Sequence, residues 1–258
     1  MLITILGSGT STGVPQIGCD CKVCRSDDPR DHRLRCSALV ENGDDRILID
    51  CGPDFRQQML SIQMKRINGV LITHEHYDHV GGLDDLRPFS VFGDVNVYAE
   101  DYCARHLIER IPYCFTPKEK RYPGVPAINL QVIAPEKEFQ VGETRVIPIR
   151  IIHGKLPILG FRISNMAYIT DMSTYTEEVI IALQGVSILI LNALRHDSHP
   201  SHQTIDEAIS FSKKVGAKFT YLIHLSHQAG LHEASSDFLP EGVMFAYDGL
   251  TINVQDGL

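Results

Sequence analysis

Gly69-Val70-Leu71-Ile72-Thr73-His74-Glu75-His76-Tyr77-Asp78-His79 is the stretch on which the reading of this chain turns. Three imidazoles and the Asp78 carboxylate follow directly on an apolar run, and His and Asp are the side chains that divalent transition metals bind. The apolar run reads as a strand whose rigid end fixes ligand geometry. His74 and His76 project together from that end, while Asp78 and His79 fall one step later, at the entry of a helix expected to be opened by Gly81-Gly82. Two ligand pairs on two faces of one turn point to two metal ions. A histidine-rich surface loop would lack this strand-before, helix-after setting.

Four residues cannot fill two coordination shells. His153 follows the strand-like run Val146-Ile147-Pro148-Ile149-Arg150-Ile151-Ile152. Asp171 follows Ala167-Tyr168-Ile169-Thr170, and His224 follows Thr220-Tyr221-Leu222-Ile223. Each sits just past an apolar β-like run, where strand ends of a layered α/β fold share a rim. A carboxylate such as Asp171 can bridge two cations at the spacing of roughly 3.5–4 Å found in two-metal hydrolases. A second cluster, Cys19-x-Cys21-x-x-Cys24, follows the first strand. Thiolates so closely spaced in a reducing compartment read as metal ligands rather than disulfides. Three of them leave one tetrahedral position of a structural zinc open, and His227 in His224-Leu225-Ser226-His227 is offered as the fourth ligand. That zinc would staple the loop Gly7-Ser8-Gly9-Thr10-Ser11-Thr12-Gly13 beside the chemistry.

Leu48-Ile49-Asp50-Cys51-Gly52, the His74-to-His79 motif, His153, Asp171 and His224, in that order, resemble the metallo-β-lactamase superfamily over most of the chain. The resemblance implies a four-layer αββα sandwich with a dinuclear site at the edge between its sheets. It implies His74, His76 and His153 on one metal, Asp78, His79 and His224 on the other, Asp171 bridging, and Asp50 orienting a ligand from behind. Within the superfamily, three stretches are similar to the cyclic phosphate phosphodiesterases of bacterial phosphonate degradation. These are Gly13-Val14-Pro15 with the cysteine run, His153-Gly154-Lys155-Leu156 and His224-Leu225-Ser226-His227-Gln228. Phe245-Ala246-Tyr247-Asp248-Gly249-Leu250 fits as well, with Asp248-Gly249 expected to turn a closing β-hairpin of type I′. The reaction so implied is attack on phosphorus by a hydroxide held between two cations, manganese or zinc, with His202 supplying a proton to the leaving ribose oxygen. His199 is a neighbour that could be confused with it. A homodimer is implied too.

With 258 residues, 43% hydrophobic and 22% charged, one large domain over 1–258 is the economical reading. The formal charge of −8, from 32 acids and 24 bases, leaves no footprint for nucleic acid and favours a small phosphodiester substrate drawn by the metals. No apolar run approaches the roughly 20 residues of a membrane helix. Met1-Leu2-Ile3-Thr4-Ile5-Leu6 reads as a strand rather than a signal peptide, and seven cysteines fit a reducing cytoplasm. Strands are expected at Leu39-Val40, Arg46-Ile47-Leu48-Ile49 and Val95-Asn96-Val97-Tyr98, and helices over 54–63, 100–109, 176–184 and 204–215. A second, pseudo-similar half is expected to begin at Ile128-Asn129-Leu130-Gln131-Val132-Ile133. Residues 111–126 read either as a loop over the cleft or as a plain connector, and Lys155 either as a phosphate contact or as a solvated strand-end lysine. The rival activities are tRNA 3′-end processing, hydrolysis of a lactone, thioester or β-lactam, and a non-catalytic carrier role. The first should carry a long glycine- and proline-rich arm, and the last a degraded His-x-His-x-Asp-His set.

Overall fold

The computed structural model describes residues 1–254. The first stretch of chain forms β1 (Leu2–Gly7), β2 (Ser37–Asn42), β3 (Asp45–Ile49), α1 (Phe55–Met59), β4 (Gly69–Leu71), α2 (Tyr77–Val80), β5 (Val95–Glu100), α3 (Asp101–Arg110) and β6 (Ile128–Ile133). There follow β7 (Phe139–Val141), β8 (Thr144–His153), β9 (Leu156–Ile163), β10 (Met166–Ile169), α4 (Glu177–Ala182), β11 (Ile188–Asn192), α5 (Ile205–Val215), β12 (Phe219–Ile223), β13 (Val243–Phe245) and β14 (Thr251–Asn253). Two seven-stranded sheets result, ordered β14-β1-β2-β3-β4-β5-β6 and β13-β12-β11-β10-β9-β8-β7. The strands β3 to β6 run parallel, as do β10 to β13, which requires crossovers that place helices on the outer faces. The expected αββα sandwich is the architecture found.

Its inner layer is built from side chains of both sheets, among them Ile3, Ile5, Ile47, Ile49, Leu71, Phe161, Tyr168 and Ile190. The opposite faces of the same strands are apolar too. Leu48, Val70 and Val97 face Leu83, Leu86 and Leu107, while Leu189, Leu191 and Leu222 face Ile180, Ala208 and Phe211. This two-sided burial explains why β10, β11 and the Ile47–Ile49 part of β3 read as apolar runs rather than alternating ones. The capping box of Thr204 and Glu207 starts α5, and Gly216 in the left-handed region ends it.

Four sequence expectations are corrected. The run Ile128–Ile133 does not open the second half: as β6 it is the edge strand of the first sheet, paired parallel to β5. Asp248-Gly249 does not close a hairpin, because β13 and β14 lie in different sheets. The Asp248 carboxylate accepts instead from Ser8 N–H and Oγ, both at 2.8 Å, and from Leu34 N–H at 2.6 Å. That places β14 against β1, where the Met1 ammonium lies 3.2 Å from the Val254 carbonyl and Val254 N–H 2.9 Å from that of Met1. The helix expected over 54–63 is the short α1, beyond which Ser61 Oγ bonds the Gln58 carbonyl at 3.0 Å. Gly81-Gly82 ends α2 rather than opening it.

The glycines serve close packing at this point. A Cβ on Gly52 would stand 2.0 Å from the Asp78 carbonyl oxygen, and one on Gly82 would stand 2.1 Å from that of Gly52. Cys51 N–H donates to the His79 carbonyl at 2.8 Å, and Gly82 N–H to that of Cys51 at 2.8 Å. The loop after β3 is thereby sewn to the turn carrying the histidines. Leu159 N–H donates to the Thr73 carbonyl at 3.0 Å, tying that turn to the second sheet.

Candidate metal centre

The side chains singled out from the strand ends lie together. His74, His76 and His153 bring ligand atoms within 4.8 Å of one another, as do Asp78, His79 and His224. Asp171 lies between the groups, with Oδ1 3.2 Å from His224 Nε2 and Oδ2 3.2 Å from His79 Nε2. His79 Nε2 is also 3.2 Å from Asp78 Oδ2. Asp50, Asp171 and His224 all have positive φ, at 59°, 57° and 57°. Such backbone is uncommon for non-glycine residues and clusters where the surroundings over-determine it.

Fixed tautomers aim these rings. His79 Nδ1–H donates to Asp50 Oδ2 at 2.7 Å, and His153 Nδ1–H to the Ser201 carbonyl at 2.8 Å. Thr73 Oγ1 gives its proton to Asp50, at 2.9 Å from Oδ2, and stands 3.0 Å from His74 Nδ1, whose N–H it can accept. One buried carboxylate therefore holds His79 directly and His74 through a hydroxyl. In each case the nitrogen left for a cation is Nε2, facing the cluster.

Several buried ring nitrogens of the cluster find no hydrogen-bond partner. Among the described residues, Nε2 of His74 and His79 and both ring nitrogens of His224 are buried without a hydrogen bond. Buried polar atoms are rarely left so. Two donor atoms each about 2.1 Å from one cation stand roughly 3.0–3.4 Å apart, the spacing observed here between His79, His224 and the carboxylates. The donor set thus fits divalent cations.

Charge tells the same story. Burial opposes a charge on His79, but Asp78, Asp171 and Asp50 outweigh it and hold its imidazole well above the ordinary range. Burial would raise Asp171, yet His224 and His79 keep it well below the carboxylate range. Burial, then His79, drives His74 well down. The carboxylates demand positive charge in the middle of the cluster.

His202 sits over both groups, its ring centroid 4.7 Å from those of His153 and His224. Its Nδ1 is 3.6 Å from Asp171 Oδ1, and burial, then His224, pushes its imidazole down to about 3.

The cysteine cluster also assembles. Ligand atoms of Cys19, Cys21, Cys24 and His227 all lie within 4.8 Å of one another, with both Cys19 and Cys21 Sγ 3.3 Å from His227 Nδ1. Burial resists ionisation at Cys21, but the Cys24 backbone N–H and His227 bring its thiol down to about 6. Burial pushes Cys24 up to about 11. Leu225 N–H bonds the Ser8 carbonyl at 3.0 Å and Thr10 N–H that of Leu225 at 3.1 Å, so the glycine-rich loop is held beside His224.

Sequence reading passed over several supports. Asn192, fully buried at the end of β11, clamps the turn after Asp171 by accepting from Met172 N–H at 2.8 Å and donating to its carbonyl at 2.9 Å. Its place closing an apolar run is the signal used for the other residues. Thr170 Oγ1 donates to Asp171 Oδ2 at 2.6 Å. Arg121, in the segment over 111–126, is spent on Asp94 at 3.0 Å and on the Thr116 and Ile128 carbonyls. Lys155 is exposed on the turn between β8 and β9.

Residues 45–225 match the family described as the beta-lactamase superfamily domain. The chain belongs to that superfamily. Its members are mostly metal-dependent hydrolases, and its fold is the metallo-β-lactamase fold. A crystal structure named as a new diphosphatase from the PhnP family is 39% identical, with a TM-score of 0.90 over 97% of this chain and 96% of its own. A protein of Porphyromonas gingivalis named octanoyltransferase is 47% identical over 97% of this chain, which spans about half (51%) of that relative's length. Zinc-bound PqqB of Methylobacterium extorquens shares the fold, with a TM-score of 0.81 at 21% identity over 98% of this chain and all of its own. Among the described residues, no helix is long and apolar enough to cross a membrane.

Proposed function

We propose that this chain is a dinuclear metal-dependent phosphoester hydrolase acting on small anionic substrates, cyclic ribose phosphates or diphosphates. The observation that carries the reading is the set of buried Nε2 atoms of His74, His79 and His224 gathered about Asp171 with no hydrogen-bond partner. His74, His76 and His153 would hold one divalent cation, Asp78, His79 and His224 the other, and Asp171 would touch both; Cys19, Cys21, Cys24 and His227 would hold a structural zinc. When bound, the two cations supply a nucleophilic water at neutral pH and offset charge on the phosphoryl oxygens. Asp50, Thr73 and Ser201 keep three imidazoles in the tautomer that leaves Nε2 free. His202, at the mouth, supplies the proton to the departing oxygen. Free of substrate it is neutral, and an anionic phosphoryl group beside it would raise its affinity for that proton.

The phosphoryl chemistry is read from the neighbour matched end to end, whereas the octanoyltransferase name describes a protein this chain spans only by half. The test loads the purified protein with manganese or zinc and counts bound metal. It then offers bis(p-nitrophenyl) phosphate, a ribose 1,2-cyclic phosphate, a nucleoside diphosphate, a lactone, a β-lactam and an octanoyl thioester. Phosphoester turnover is expected, reduced about 10²–10⁴-fold in His202→Ala with metal content unchanged. Turnover confined to the carbon esters, or none with both cations bound, overturns the proposal.

A further inference from the structure

The loop between β11 and α5 carries one more imidazole that the chemistry above does not use. His199 lies one ring farther out than His202, at a centroid separation of 5.0 Å. Its Nδ1 faces Ser201 N–H and Ser201 Oγ, both at 3.3 Å. A backbone N–H can only donate, so Nδ1 accepts and the proton of the neutral ring is on Nε2. Among the described residues, that Nε2–H has no hydrogen-bond partner within the chain. Ser201 is also the residue whose carbonyl orients His153, so the loop that carries His199 borders the candidate metal centre. Arg195, at the start of the loop, is braced by Gln228 Oε1 at 2.7 Å and the Ser198 carbonyl at 3.1 Å. Those bonds, with one from Nε to the Asp197 carbonyl, use three of its five donors. A braced cation, near enough to act on the imidazole electrostatically, and a neutral ring with a free N–H thus share the loop beyond His202.

We propose that His199, with Arg195 beside it, is a specificity subsite that receives a second phosphoryl group of the substrate while the first is attacked at the metals. This rests on the phosphoester reading and deepens it. An Nε2–H whose ring is locked by Ser201 donates to a phosphate oxygen without reorganising, and the guanidinium adds charge. A substrate with a single phosphoryl group reaches only the metal centre and gains nothing from the rim.

The experiment compares inorganic phosphate with inorganic diphosphate by calorimetry on metal-loaded wild type, His199→Ala, His199→Gln and Arg195→Ala, and measures KM and kcat in parallel. Loss of one charge-assisted hydrogen bond should weaken diphosphate about tenfold in His199→Ala. Phosphate affinity should stay within twofold, and His199→Gln, which keeps an N–H donor, should recover most of the loss. With bis(p-nitrophenyl) phosphate, KM and kcat should hold, whereas KM for a nucleoside diphosphate should rise. Equal weakening of both anions, or of neither, overturns the subsite. If wild type turns over no phosphoester but diphosphate affinity still depends on His199, the reaction assignment fails and the subsite stands.

Discussion

Replacing Asp50 with Asn keeps the shape of a fully buried side chain and removes its charge. Oδ1 accepts from Thr73 N–H at 2.9 Å, a donor that cannot be reversed, so the amide oxygen of Asn must take that position. Its NH₂ group then faces His79 Nδ1, now 2.7 Å from a carboxylate oxygen, and forces the His79 proton onto Nε2. The lone pair offered to a cation is lost. A charge-assisted hydrogen bond contributes roughly 1.5–3 kcal/mol, so affinity at the Asp78–His79–His224 group should fall about 10- to 100-fold. The His74–His76–His153 group should change only a few-fold, because Asn still accepts from Thr73. Thr73→Val tests the other branch: it strips the hydroxyl beside His74 Nδ1 and should weaken that group about tenfold through a lost neutral hydrogen bond. Calorimetric titration of metal-free protein with zinc gives the affinities, and anomalous scattering from crystals gives the occupancy of each position. If Asp50→Asn depletes both positions alike, or neither, the tautomer reasoning is wrong.

Cys24→Ser should release one equivalent of zinc, leave the other two cations bound, and lower Tm by roughly 5–15 °C. That range takes about 2–4 kcal/mol for a lost cross-link between distant segments; metal analysis and calorimetry check both statements. Gly52→Ala should destabilise by about 3 kcal/mol or more, since backbone on both sides of the 2.0 Å clash cannot give way, and chemical denaturation measures it. Burial, with Arg33 and Arg30, pushes His232 down to about 4, so the folded chain binds fewer protons than the unfolded one between there and pH 6.5. Stability should therefore fall as pH drops through that window, and His232→Gln should flatten this part of the Tm–pH curve; an unchanged slope would reject the assignment.

Most candidate ligands were legible because each closes an apolar run. Strands buried on both faces, such as β4, β11 and β12, expose their first polar residue at the sheet edge; His153 instead ends β8, which pairs antiparallel on both sides. The allegiance of β6 was not legible, since its pairing with β5 depends on where α3 delivers the chain and not on local pattern. Asp-Gly at 248–249 carries the same local signal whether it turns a hairpin or hands the chain to the other sheet. Ser201 acts on His153 through its carbonyl, which every residue possesses, so no side-chain motif could have marked it. The left-handed backbone at Asp171 and His224 was hidden for a related reason: neither is glycine, and tertiary contacts impose it.

The pairing of β14 with β1 has a consequence for modular use of this fold. β1 runs antiparallel to β2 and β2 antiparallel to β3, so Gly7 shares its sheet edge with Asp50 while Met1 lies on the far one. Val254 is hydrogen-bonded to Met1 there. A module joined to Met1 would therefore start from the corner where Val254 also lies, on the edge opposite the one that carries Asp50.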